Sequence, residues 1–387
     1  MSDEFPWAVP LADVAVDEDI LEAVADAVLS GWWSMGPRVQ EFESAFADFV
    51  GSRHAIAVAN GTAALHLALM AADCGPDDEV VVTSLNFVAA ANTINHVGAT
   101  PVFCDVRSED DLSLDPEDLE AALSGQTKAV VVMHYGGHPC DMDAIEDIAR
   151  THNLIIIEDA AHAPGARWRG RACGTIGDVG CYSFFSNKNL PVGEGGMVVT
   201  DDDAIAARIR LLRSHGMTTL TWDRHHGHAP SYDVVAHGFN YRLDEIRAAI
   251  GLVELERLDS ANRLRAGHVE SYRAALAGAP GITMPFADQP ASAQSSHHLA
   301  VVLLQPGVDR ERVRASLAEQ RIQTSVHYPP IHRFSAYASE TARALPVTDA
   351  VAPRLLTLPL YAHMTPAQVT TVTRELVRAV ETAQAFV

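Results

Sequence analysis

Four short apolar runs lie between residues 79 and 160: EVVVTS (79–84), TPVFCDV (100–106), KAVVVMHY (128–135) and NLIIIEDA (153–160). Each is continuous rather than alternating in polarity, which is the pattern of a strand covered on both faces. Helical patterns separate them, among them PEDLEAALS and DMDAIEDIARTH. Strand and helix in alternation predict an α/β fold around a mostly parallel sheet. In such sheets ligands bind beyond the carboxyl ends of the strands. The stretches to inspect are therefore 84–87, 134–138, 159–162 and 183–188. Further upstream, HAIAVAN (54–60) reads as a buried strand running straight into the helix GTAALHLALMAA. Gly61 permits close backbone approach and Thr62 offers a hydroxyl, so the junction suits an anion. Equally, Asn60 or Thr62 serves only as a helix cap. Neither a GxxxxGK[ST] loop nor a GxGxxG fingerprint occurs.

Only two of the 28 basic residues are lysines, Lys128 and Lys188. Arginine cannot condense with an aldehyde, because its guanidinium stays protonated. A desolvated lysine amine can. Lys188 is thus a candidate for chemistry, against the alternative of a surface charge, and its neighbours must decide. Asp159 ends the run LIIIED, where a carboxylate needs a cation or a strong donor. A protonated pyridine nitrogen is one such donor; the other reading is a cap for the turn that follows. His162 and Ser183 carry the same ambiguity between a functional group and a local structural one.

A length of 387 residues exceeds a single core and predicts two domains. The expected division is a large α/β domain with an N-terminal arm over 1–245 and a smaller α+β domain over 246–387, hinged within a helix at 243–259. Trp32 and Trp33 line a cleft or pack internally. IQTSVHYPP (322–330) reads as an edge strand ended by Pro329 and Pro330. The loop with His225, His226 and His228 lacks partners at ligand spacing, so no metal is expected. A net charge of −22 argues against nucleic acid and anionic membrane as partners. Five scattered cysteines suit reduced thiols and a cytoplasmic location. The N-terminus lacks a signal-peptide pattern, and no run is long enough to span a membrane.

Several segments together resemble one family. They are GWWSMGPRVQEFESAFA, NGTAALHLAL, NFVAAANTINHVGATPVFCDV, EDAAHAPGA, CYSFFSNKNLPVGEGGMVVT, LRSHG, GFNYRLDEIRAAIGL and VHYPPIHR. The family is the pyridoxal 5'-phosphate (PLP)-dependent sugar aminotransferases of the DegT/DnrJ/EryC1/StrS type, fold type I. The resemblance covers nearly the whole chain, and EDAAH (158–162) followed by SFFSNKN (183–189) is its most specific part. It implies that Lys188 holds the cofactor aldehyde as a Schiff base and moves the substrate proton. Asp159 would pair with the pyridine nitrogen, His162 would lie against the ring or its phenolic oxygen, and Phe87 would stack on the other face. Gly61, Thr62 and Ser183 would hold the phosphate, and Asn240 would reach the phosphate in a neighbouring subunit, making a homodimer part of the site. Relatives with His in place of the lysine act as dehydratases, so Lys188 argues for transamination.

The activity implied is a ping-pong transfer from glutamate or glutamine, through pyridoxamine 5'-phosphate (PMP), to a keto-sugar. That acceptor is expected to be a nucleotide-linked 3- or 4-keto-6-deoxy sugar, with a keto-cyclitol as the alternative. A PLP-dependent sugar dehydratase and a non-catalytic PLP-binding protein are the rivals. Trp33, Tyr328, His327, His332 and Arg242 are the candidate substrate-binding residues. Arg213, Arg224 and Arg333 join Arg242 as candidates for a diphosphate.

Overall fold

Two helices, α1 (Glu18–Leu29) and α2 (Pro37–Val50), precede the first strand, β1 (His54–Val58), in a computed structural model that describes residues 7–219, 231–338 and 343–384. Helix and strand then alternate through α3 (Gly61–Ala71), β2 (Glu79–Thr83), α4 (Ala89–His96), β3 (Thr100–Cys104), α5 (Pro116–Ala122), β4 (Thr127–Met133), α6 (Met142–His152) and β5 (Ile155–Asp159). A small hairpin, β6 (Arg167–Trp168) and β7 (Arg171–Ala172), leads to β8 (Val179–Ser183), β9 (Gly196–Thr200) and α7 (Asp203–Arg213). Seven of these strands form one sheet in the order β1-β9-β8-β5-β4-β2-β3. Only β9 runs antiparallel to its neighbours; the β5–β8, β4–β5, β2–β4 and β2–β3 pairs are parallel.

The continuous apolar runs have a direct cause. On one face Ile56, Val80, Val82, Val131 and Ile157 pack under α3, α4 and α7, while on the other Ala57, Val81, Val130, Val132 and Ile156 pack against α2 and α6. Both pleat directions are buried, so neither admits polar residues. The expected α/β fold with a mostly parallel sheet is what forms.

Helix α8 (Glu245–Leu276) is 32 residues long and unbroken. The helix expected over 243–259 does not stop there but runs on to Leu276. Asp244 caps it, accepting from the Arg247 amide at 2.9 Å. Gly251 lets α2 approach, since a Cβ there would meet the Phe42 ring at 2.7 Å.

Beyond α8 come β10 (Ile282–Thr283), β11 (Ala293–Gln294), which pairs with β6, β12 (Ala300–Leu304), α9 (Arg310–Glu319), α10 (Pro346–Val351), β13 (Leu355–Leu358) and α11 (Pro366–Gln384). A second sheet has the order β10-β12-β13. The edge strand expected over 322–330 does not form: Ile322 and Ser325 make only isolated bridges, to Val9 and Thr357, and a 3-10 turn follows at Ile331–Arg333. Pro329 and Pro330 have no amide to donate to a ladder. Asp105, after β3, ties α10 to the large sheet. Its carboxylate accepts from the amides of Val347 at 2.8 Å and Thr348 at 2.7 Å, and from the Thr348 hydroxyl at 2.6 Å. All five cysteines are buried and unpaired. Among the described residues no helix is long and apolar enough to cross a membrane.

Candidate active site

A cavity of about 410 Å³ opens at the carboxyl ends of β4, β5 and β8, the edge at which a parallel sheet places its ligands. Met133, Asp159 and Ser183 reach it as the last residues of their strands. Asn60, Gly61 and Thr62 come from the start of α3, Phe87 from the loop after β2, Lys188 and Glu194 from the β8–β9 connection, and His327 and Tyr328 from the segment before the 3-10 turn. The cluster expected from separate stretches of sequence thus converges on one space: Gly61, Thr62, Phe87, Asp159, His162, Ser183, Lys188, His327 and Tyr328 all line it.

The start of α3 settles the first ambiguity. Asn60 does cap the helix, accepting from the Ala63 amide at 2.8 Å. That leaves the Gly61 and Thr62 amides without an intrahelical acceptor, pointing outward with the positive end of the helix dipole. Gly61 sits tight against β8: a Cβ there would meet the Ser183 Cβ at 2.8 Å. The absence of that methyl group is what lets α3 and Ser183 form one wall.

Burial sets the charges. The Lys188 amine is pushed down to about 8, chiefly by desolvation, with Asp159 opposing the shift. Asp159 is buried and its carboxyl is raised, again chiefly by desolvation, with the Ala161 amide at 3.1 Å, Lys188 and His134 opposing. A half-buried amine that is readily neutral therefore shares a cavity with a carboxyl that gains from a positively charged donor. His162 is held well below its ordinary range by burial, Lys188, His298 and His327. Its Nδ1 accepts from the Gly136 amide at 3.3 Å, its Nε2 lies 2.9 Å from the Tyr328 hydroxyl, and its ring packs on His298 at 4.3 Å. These residues fit PLP: a lysine for the aldehyde, a buried carboxyl for the pyridine nitrogen, an exposed Phe87 ring on the wall, and a helix N-terminus with two hydroxyls for the phosphate.

Other expected residues lie elsewhere. His332 does not face the cleft. It is buried between Ser84, whose hydroxyl is 2.7 Å from Nδ1, and Asp349, 3.0 Å from Nε2, so both ring nitrogens serve a structural link. Trp33 is exposed, donates its indole N–H to the Val28 carbonyl at 3.0 Å and does not line the cavity. Arg242 also lies off the cavity wall, with a buried Nη1 that has no hydrogen-bond partner. Arg213 is buried against Glu43 and the Ala57 carbonyl, and Arg333 is paired with Asp349. Asn240 pairs with Ser214 at the outer surface, away from this chain's own cavity. Arg224, His225, His226 and His228 lie outside the described residues.

Several contributors escape sequence reasoning. Asn187 lines the cavity with a buried, unpartnered Oδ1, and Glu194 stands at its mouth. The SFFSNKN and GEGG segments that hold them are visible, but neither residue type signals a role. Behind Asp159, Glu158 is fully buried as an acceptor for the amides of Gly174 (2.7 Å), Ile176 (2.6 Å) and Gly177 (2.6 Å) and for His134 Nε2 (2.8 Å). The Cys140 amide donates to His134 Nδ1 at 3.2 Å, so that imidazole carries its proton toward Glu158. Four donors on one carboxylate hold the end of β5 in place.

The chain also matches known proteins over most of its length. The sequence profile of the DegT/DnrJ/EryC1/StrS aminotransferase family matches residues 14–377. The chain is similar to the spore coat polysaccharide biosynthesis protein SpsC of Bacillus subtilis, 41% identical over 367 residues, which cover 93% of this chain and 92% of that protein. Among solved structures it resembles DesI, determined in the presence of its TDP-sugar product, at 31% identity and a TM-score of 0.88 over 99% of this chain and 95% of DesI. It also resembles Spr1654 of Streptococcus pneumoniae, solved in PLP and PMP forms. The PLP form is 26% identical with a TM-score of 0.89, over 97% of this chain and 99% of that one.

Proposed function

Because the chain belongs to the DegT/DnrJ/EryC1/StrS aminotransferase family of PLP-dependent sugar aminotransferases, we propose that it transfers an amino group from glutamate or glutamine to a nucleotide-linked keto-sugar, using Lys188 as its central base. The enzyme is a PLP-dependent aminotransferase whose cofactor alternates between PLP and PMP. The observation that carries the reading is the placement of Lys188, depressed to about 8, in one cavity with the buried Asp159.

Bound PLP supplies an electron sink for the carbon that loses its proton. Lys188 would hold the cofactor through its amine and, when free, would move the proton at that carbon. Its readiness to be neutral near pH 8 suits both tasks. Asp159 keeps a proton on the pyridine nitrogen, because its buried carboxylate is stabilised by that partner. The Gly61 and Thr62 amides, the Thr62 hydroxyl and Ser183 bind the phosphate. Phe87 and His162, which both line the cavity, would bound the cofactor ring. Asn240 completes the phosphate site of a partner subunit, so the working unit in this reading is a homodimer. Residues 1–245 carry the cofactor site, and 246–387 contribute His327 and Tyr328 to the substrate side.

The nucleotide-linked acceptor is supported by DesI, whose product is a TDP-sugar, and a sugar product by the role of SpsC in polysaccharide biosynthesis. The test is an absorbance spectrum with added PLP, then with glutamate, on the wild type and Lys188→Ala. A cofactor band that forms and is discharged by glutamate in the wild type, and never forms in the variant, is expected. A band indifferent to glutamate and glutamine overturns the transamination reading. A subsequent screen of nucleotide-linked 3- and 4-keto-sugars against keto-cyclitols identifies the acceptor.

A further inference from the structure

We infer that Tyr328 is a fixed hydrogen-bond donor into the cavity, aimed by His162 at an acceptor oxygen of the bound cofactor or keto-substrate. The inference rests on the PLP reading of this cavity and adds a residue to it. A backbone amide can only donate, so the Gly136 N–H that points at His162 Nδ1 from 3.3 Å leaves that nitrogen without a proton. His162 is neutral, held so by burial and by Lys188, His298 and His327. Its single proton therefore sits on Nε2, which is 2.9 Å from the Tyr328 oxygen. Tyr328 accepts in that bond. Its own proton cannot point back toward His162 and is free to be donated on another side.

That other side is the cavity, which Tyr328 lines together with Asp159, Lys188 and Phe87. The tyrosine has little freedom to turn away. Its ring packs at 5.7 Å on Phe87, and the Tyr135 hydroxyl donates to the carbonyl of the preceding residue, His327. His327 is held in turn by Thr357, 3.0 Å from its Nδ1. Gly136, which sets the whole chain of donors, adopts φ 63°, a conformation that favours glycine. Burial, with Tyr135 and Asp159 adding to it, raises the Tyr328 phenol well above its usual range. The residue thus keeps its proton across working pH and acts as a donor, not as an acid. The chemistry it recognises is an acceptor oxygen, which the cofactor ring's phenolic oxygen and the substrate's carbonyl oxygen both provide.

The test uses the PLP-loaded enzyme and Tyr328→Phe, which removes the hydroxyl and keeps the ring. If the acceptor is the phenolic oxygen, loss of the donor makes the bound cofactor easier to protonate. Its pH-dependent absorbance transition then rises by about one to two pH units. If the acceptor is the substrate carbonyl, the transition stays in place, discharge by glutamate keeps its rate, and kcat/KM for the keto-sugar falls at least about tenfold. Either outcome supports the donor role and names its source. Neither change, in a variant that still forms the cofactor band, overturns the proposal. Absence of the band in the wild type would instead sink the cofactor reading. His162→Leu removes the aiming group and leaves Tyr328 in place, so the same readout should move in the same direction by less. An unmoved readout there overturns the aiming role, and this variant also carries the test if Tyr328→Phe does not fold.

Discussion

Lys188 and Asp159 are displaced from their ordinary ranges by the same cause, removal of water, and in opposite directions. Three outcomes follow from single side chains. Cofactor-free protein should capture PLP at a rate that climbs with pH and levels off above about 8, because only the neutral Lys188 amine is nucleophilic; stopped-flow absorbance checks this. Asp159→Asn should still form the cofactor band yet lose about a hundredfold or more in the glutamate half-reaction, since a charge aimed at the ring is gone. Gly61→Ala should bind PLP about ten- to a hundredfold more weakly, measured by fluorescence titration. Its Cβ meets the Ser183 Cβ at 2.8 Å and Cα at 3.3 Å, and that strain forces α3 away from β8. Lys188 is legible in the sequence because lysine is scarce here and its neighbours are distinctive. Asn187, Glu194 and His298 are not, because their residue types are common and only convergence in space gives them a place at the site.

Strands and helices were readable where the polarity pattern had a single explanation. The buried runs at β2, β3, β4 and β5 left no other option, and the start of α3 followed from Asn60-Gly61-Thr62. The segment 322–330 was not readable in the same way: β-branched and aromatic residues suggested a strand, while its destination depends on the elements it must reach. It is held by contacts from distant parts of the chain, including Ile322 with Val9, Ser325 with Thr357, and Tyr135 with the His327 carbonyl. Asp105 shows how such contacts fasten α10 to the end of β3. Asp105→Ala should lower unfolding stability by about 2–3 kcal/mol in urea, because it strands the buried Thr348 amide and hydroxyl and the half-buried Val347 amide. Asp105→Asn, which keeps one acceptor oxygen, should cost less.

Across the whole molecule, burial of histidines couples the fold to pH. His297 and His327 are lowered to about 4, and His138, His162 and His298 lie well below their usual range, each chiefly through desolvation. In the unfolded chain the same groups titrate near 6.5. Between about pH 6.5 and 4 the unfolded state therefore binds more protons at these five sites, so their contribution to stability is full above 6.5 and falls as pH drops through that window. The urea midpoint of cofactor-free protein should decline steadily from pH 7 to 4.5, and His297→Gln should flatten the slope. No sequence pattern announces this, because a histidine's titration depends on what surrounds it. Local chemistry was enough for the α/β class, the strand runs, the helix-capping glycine junction and the one conspicuous lysine: each follows from residues within a few positions of each other. Where Tyr328 turns its proton, why His332 becomes a link and not a ligand, and which strand ends share a cavity follow from contacts between residues distant in the chain. Those contacts form when side chains pack, and neighbours in sequence do not specify them.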